Sequence, residues 1–281
     1  MTRLLAALAL LVLATVPVMA DEAVKVDKVE IASTTLRPGQ PPAPVVLAGW
    51  FSRPRASGPV PAILLMHGCS GPGRNQGQWR RLLHAEGYAV LALDSFGGRG
   101  VKEICSDFSR VTNRERQGDA FAALDWLARW PEIRADRIAV IGFSHGGGIA
   151  LDLATRPLVT FRPSGAAGFR ASIAFYPACR PPSRRNAEYA IPTAILIGEN
   201  DDWTLAPLCR ELKAESRGIP IELTVLPDAH HGFDVAGLPV TTRPDVRNLN
   251  KPTGWGATVG GNAAAQVESE TLVKAFLARR M

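Results

Sequence analysis

The chain has little that would place it among several common classes. Its 281 residues include four cysteines, Cys69, Cys105, Cys179 and Cys209, and no two are spaced C-x-x-C. That removes the usual zinc-site and thioredoxin-type signatures. No block of lysine and arginine occurs, and no basic stretch is interleaved with aromatics. The excess of 32 basic over 26 acidic residues is therefore not the footprint of a nucleic-acid binder. Heptads and internal repeats are missing, which sets aside coiled coils and solenoids. The most apolar stretch, 4–16, is too short for a comfortable membrane span.

That stretch has a different reading. Arg3 precedes it and Val18-Met19-Ala20 follows as a small-residue cleavage pattern, so residues 1–20 are expected to be a signal peptide. The mature chain would then be exported, periplasmic or secreted, and begin near Asp21. About 260 residues remain (281 − 20), carrying a net charge of +5 once Arg3 is removed (31 − 26). With 46% apolar residues in the whole chain, 21–281 is expected to form one domain around one large core. An even cysteine count in an exported chain predicts disulfides. Of the three connectivities, the strand order read below favours Cys69 with Cys105 and Cys179 with Cys209, because each pair follows neighbouring strands.

One stretch organises the rest. Ile138 to Gly142 reads as a buried strand, a helix-compatible segment begins at Ser144, and the junction is Gly142-Phe143-Ser144-His145-Gly146. This G-x-S-x-G spacing places a serine on a sharp strand-to-helix turn, where the positions two before and two after it have no room for a side chain. Further apolar runs at 62–66, 89–93, 171–176, 193–198 and 221–226 read as strands, after a leading antiparallel pair at 24–33 and 45–51. Helical spacing appears at 78–86, 113–129, 205–216 and 263–280. Alternating strands and helices imply an α/β fold with a mainly parallel sheet covered on both faces, and ligands in such sheets bind at the carboxyl ends of the strands.

Candidate chemistry falls at those ends. Gly198-Glu199-Asn200-Asp201-Asp202 follows one strand and Ala229-His230-His231-Gly232-Phe233-Asp234 follows the last. The order serine, acid, histidine is that of α/β-hydrolases. By chemistry alone either aspartate and either histidine qualifies. Together with Met66-His67-Gly68-Cys69-Ser70-Gly71 and Asp94-Ser95-Phe96, these motifs make the chain resemble the dienelactone hydrolase family across nearly all of its mature length. The resemblance implies an eight-stranded sheet with the second strand antiparallel, Ser144 as nucleophile, Asp201 as the acid and His231 as the base. It also implies an oxyanion hole made by the backbone N–H groups of Cys69 and His145, and no metal or organic cofactor. His67 would organise its loop, and Asp202 would be a solvated or capping carboxylate ahead of the next helix.

The expected activity is that of a serine hydrolase acting on small carboxylic esters or lactones through an acyl-enzyme. The alternatives are a non-catalytic exported binding protein of the same fold, or a peptidase or thioester hydrolase. The family's namesakes use a cysteine nucleophile, where this chain has Ser144, and an arginine four residues past the histidine, where it has Val235. Those differences favour a broader ester hydrolase. Arg99 is the remaining candidate for anion binding, against a solvated loop charge, and Trp203 is a packing residue or a substrate platform. The segment 234–261 is long for a connection inside a domain. It is expected to form a flap or rim, with Trp255 as a wall, or else a surface meander. Residues 157–168 and 180–189 are further rim candidates.

Overall fold

The computed structural model describes residues 24–36, 39–160, 168–180, 184 and 186–281. The expected signal peptide, 1–20, lies outside the described residues, as do 161–167, 181–183 and 185 of the two further rim candidates. Strands β1 (Asp27–Thr35) and β2 (Ala43–Ser52) pair antiparallel. Then follow β3 (Val60–Met66), α1 (Arg74–Ala85), β4 (Ala89–Asp94), α2 (Asn113–Ala128), β5 (Ile133–Phe143), α3 (His145–Leu153), the short α4 (Arg156–Thr160) and β6 (Ala171–Phe175). The second half holds β7 (Glu188–Tyr189), β8 (Thr193–Gly198), α5 (Ala206–Glu215), β9 (Arg217–Gly218), β10 (Glu222–Leu226), β11 (Thr241–Arg247), β12 (Trp255–Val259) and α6 (Ala263–Arg280).

Eight strands form one sheet in the order β1-β2-β4-β3-β5-β6-β8-β10, in which only β2 runs against its neighbours. In the central β3, Ala62 through Met66 have no exposure at all. Successive strand side chains point to opposite faces, so a strand buried at every position must be covered on both. Edge strand β1 instead buries Ile31 and leaves most of its other positions open. Truncating a fully buried core leucine such as Leu64 to alanine would cost roughly 2–5 kcal/mol.

A second, smaller apolar cluster sits beyond the carboxyl ends of the strands, around Phe96, Ile104, Trp203, Val246 and Ala257. The disulfide Cys69–Cys105 is part of it, and Cys179–Cys209 closes the other pair. The segment 234–261 is neither a bare meander nor a loose flap. It contains the antiparallel β11–β12 hairpin, with an irregular register between Arg243 and Arg247, and returns to the main fold where Gly260 N–H donates to His231 O (3.0 Å).

Candidate active site

Ser144 lies between β5 and α3 with φ 54° and ψ −116°. A non-glycine residue held at such angles stores on the order of 1–3 kcal/mol of strain, which the surrounding backbone must impose. The two glycines of the motif show how. A Cβ on Gly142 would lie 2.0 Å from Gly146 O, and one on Gly146 would lie 2.3 Å from Met66 O. A side chain at Gly142 would push the start of α3 off β5, and one at Gly146 would push it off the end of β3. The Ser144 N–H donates to Phe175 O on the adjacent strand (2.9 Å), which ties the turn to the sheet.

The acid and histidine loops are brought together at the ends of β8 and β10. Asn200 N–H donates to Ala229 O (2.9 Å), and a Cβ on Gly198 would strike the same carbonyl at 2.1 Å. The structure places His231 Nε2 2.8 Å from Ser144 Oγ and His231 Nδ1 2.8 Å from Asp201 Oδ2. A carboxylate accepts, so Nδ1 carries the ring hydrogen and Nε2 offers its lone pair to the serine hydroxyl. Asp201 Oδ1 is held by the N–H groups of Trp203 (2.9 Å) and Thr204 (2.8 Å). The neighbouring candidates point elsewhere. His230 Nδ1 lies 3.1 Å from Asn200 O, and Asp202 accepts from Thr258 N–H (2.7 Å) and pairs with Lys251 (2.9 Å). Asp202 is therefore not a helix cap: it clasps the β11–β12 hairpin.

The imidazole of His231 is packed between two rings, Tyr176 at 4.6 Å and Trp203 at 4.7 Å between centroids. Trp203 is buried and its Nε1–H donates to Arg247 O (2.8 Å), so it packs the site rather than standing open as a platform. Several polar contacts escaped the sequence reading. The Thr204 hydroxyl lies 2.8 Å from Asp201 Oδ2 and 3.2 Å from His231 Nδ1. Tyr176 OH donates to Asp234 Oδ1 (2.6 Å), and Trp79 Nε1–H donates to Asp234 Oδ2 (2.8 Å). Burial pushes the Asp234 carboxyl up despite these donors, and burial together with the Asp234 charge pushes the Tyr176 phenol well up. Asp234 is the last residue of the histidine motif, which is the signal the sequence carries for it.

Of the two expected oxyanion donors, one belongs to the residue after the serine and the other to the residue after Gly68. His145 is the first residue of α3, where a helical N–H has no partner inside the helix. Gly68 brings the preceding loop close, since a Cβ there would lie 3.3 Å from Ser144 Cβ and 3.9 Å from Oγ. Fully buried Arg116 braces the loop ahead of Cys69 and the ring of His145. It donates to His67 O (2.7 Å) and contacts His145 Nδ1 (2.7 Å). A guanidinium only donates, so Nδ1 of His145 is the acceptor and its hydrogen sits on Nε2. Burial lowers Arg116 to about 10, which leaves it charged at neutral pH. Burial and then the Arg116 charge hold both His67 and His145 well below the usual imidazole range. His67 is the loop organiser expected: Nδ1 meets Gly68 O (2.7 Å), and Nε2 accepts from Ser95 N–H (3.1 Å).

Arg99 does not line the site. Its side chain is 1% exposed and pairs with Asp119 through two 2.8 Å contacts, while Ser95 O, Thr34 O and Thr35 Oγ1 take its remaining donors. It is neither an anion-binding group nor a solvated loop charge, because every donor is already used within the fold. A cleft of about 660 Å³ near Arg53, Pro54 and Glu132 is also remote, since it opens at the amino end of β3.

A mainly parallel eight-stranded sheet, with these loops gathered at its carboxyl edge, is the α/β-hydrolase fold. Residues 47–279 match the dienelactone hydrolase family, and the chain belongs to that family of hydrolases. It is similar to an uncharacterised protein of Mycobacterium tuberculosis, 26% identical over 201 residues that cover 66% of this chain and 68% of the other. Two solved structures share the fold. A dienelactone hydrolase from Anabaena variabilis aligns with a TM-score of 0.61 and 18% identity over 90% of this chain and 99% of its own. An esterase from Pyrococcus furiosus aligns with a TM-score of 0.59 and 20% identity over 92% and 94%.

Proposed function

We propose that the protein is a serine hydrolase that cleaves small carboxylic esters or lactones through an acyl-enzyme. The observation that carries this reading is the pair of 2.8 Å contacts linking Ser144 Oγ, His231 and Asp201. Ser144 Oγ attacks the carbonyl carbon as its proton passes to His231 Nε2. The oxyanion that forms is met by the N–H groups of Cys69 and His145. Such a donor is worth on the order of 3 kcal/mol of the barrier. Collapse breaks the carbonyl–oxygen bond, and the alkoxide leaves with the proton from His231. A water then attacks the acyl-enzyme with His231 as base again, and the serine is released with the carboxylic acid. Asp201 keeps the ring oriented and stabilises the imidazolium.

The family membership and the likeness to an esterase fold support this substrate class. The test is turnover of p-nitrophenyl acetate by the wild type and by Ser144→Ala. Loss of turnover in the variant is expected, and undiminished turnover would remove the mechanism. We further propose that the protein is exported. The 1–20 pattern and the two disulfides support this. Mass analysis of the mature chain is expected to find Asp21 at the amino terminus, and retention of Met1 would contradict it.

A further inference from the structure

Between the β11–β12 hairpin and the loop after β4 lies an open cleft of about 400 Å³, with Phe108, Leu249, Trp255, Arg247 and Asp107 in its walls. Each wall touches a residue that packs beside the proposed triad. The Phe108 ring stacks on His145, the residue after Ser144, at 5.8 Å between centroids and 20° between planes. On the other side Arg247 O accepts from Trp203, whose ring lies against His231. The cleft is thus linked to the site on both sides through one ring, Phe108 on His145 and Trp203 on His231.

Its walls are held in place before any ligand arrives. Arg247 N–H donates to Cys105 O (2.8 Å), and Cys105 is disulfide-bonded to Cys69 of the oxyanion loop. The Arg247 guanidinium lies 4.8 Å over the Trp255 ring and fixes that indole. Phe108 (36% exposed) and Trp255 (40%) are the exposed aromatic side chains among the described residues, and Leu249 beside them is 80% exposed. Apolar rings left open on a fixed frame, over residues that pack a catalytic centre, are the makings of a ring-binding surface. Charge adds a preference. No carboxylate among the described residues lies within 4 Å of an Arg247 nitrogen; Asp107, whose Oδ1 accepts from the Ser109 hydroxyl (2.6 Å) and N–H (2.9 Å), keeps its negative charge elsewhere in the wall.

We infer that this cleft is an aryl subsite: it takes the aromatic ring of an ester between Phe108 and Trp255 and favours a ring that bears a negative charge near Arg247. This deepens, and rests on, the hydrolase reading above. The first test compares kcat/KM for 4-acetoxybenzoate and ethyl acetate. In Phe108→Ala and Trp255→Ala the ratio is expected to fall about tenfold, mainly through KM, and Arg247→Gln is expected to narrow the preference for 4-acetoxybenzoate over phenyl acetate. Ratios that stay within twofold of the wild type in folded variants would overturn the subsite. The second test needs no turnover: calorimetric binding of 2-naphthoate to Ser144→Ala protein, with cyclohexanecarboxylate as comparator. Binding of 2-naphthoate that weakens when Phe108 or Trp255 is also removed upholds the subsite even if the wild type cleaves no ester. Equal binding of the two carboxylates, or none, overturns it.

Discussion

The Tyr176 hydroxyl donates to Asp234 over 2.6 Å while the same ring lies 4.6 Å from the imidazole of His231. One side chain therefore serves a buried carboxylate and braces the base of the proposed triad. Tyr176 itself is held at φ 36°, directly after β6. Asp234 gathers α1, through Trp79 and through the Gln78 amide that donates to its carbonyl (3.2 Å), onto the loop that carries His231.

Removing the phenol hydroxyl leaves the carboxylate of Asp234 short of a donor with no solvent to replace it. Tyr176→Phe is expected to lower stability by roughly 1–3 kcal/mol. Tyr176→Ala also removes the ring face and is expected to lower kcat further than Tyr176→Phe does. Urea unfolding and steady-state kinetics on both variants check this, and equal stability of wild type and Tyr176→Phe would contradict it.

Asp201→Asn keeps the shape of the acid and changes its hydrogen-bonding sense. An amide in that place allows the ring to carry its hydrogen on Nε2, which faces Ser144 and then cannot accept a proton. A fall in kcat of about 10³–10⁴ is expected, by analogy with the same change in other serine triads. Asp202→Asn is expected instead to loosen the hairpin it clasps, with a far smaller effect on kcat.

Arg99 and Asp119 form a buried ion pair, so deleting one charge strands the other. Arg99→Ala is expected to cost roughly 3–5 kcal/mol of stability. The role assigned here requires KM for a carboxylate-bearing ester to stay near that of the wild type at a temperature where the variant is folded. A large rise in KM would restore Arg99 as an anion-binding residue.

Stability should also depend on pH through His67 and His145. Both are held neutral in the folded protein by burial and by Arg116, with folded pKa values well below the ordinary 6.5. Above about pH 6.5 neither state binds the extra proton and these groups contribute no slope. As pH falls through that value the unfolded chain gains protons that the folded chain refuses, and stability drops by up to about 1.4 kcal/mol per pH unit per histidine. The raised carboxyl of Asp234 works in the opposite sense. Comparing wild type with His67→Gln by urea unfolding at pH 7.5, 6.0 and 5.0 cancels that term. The variant is expected to lose one proton's share of the slope, and parallel curves would contradict the account.

Much of this arrangement was legible because close packing leaves local marks. Gly142 and Gly146 are required by backbone contacts near 2 Å, and helix α6 has the bounds 263–280 that its spacing implies. Chain order placed the serine, acid and histidine on their strand ends. Contacts made across the fold leave no such mark. Arg99 reads as a loop charge because its partner Asp119 is twenty residues on, upon α2, and two of its other acceptors, Thr34 O and Thr35 Oγ1, lie on β1. Arg116 was missed for the same reason, and so was the reach of Thr204 to His231, although Asp201 lies only three residues before it. The hairpin in 234–261 was hidden because β11 is mostly exposed and contains Pro244, so it shows no apolar alternation.

The most direct test of the central claim is covalent labelling by a fluorophosphonate followed by peptide mass analysis. The account predicts one adduct per chain, on Ser144, absent in Ser144→Ala and formed far more slowly in His231→Gln. A folded protein that takes up no label, or carries it on a different residue, would contradict the account.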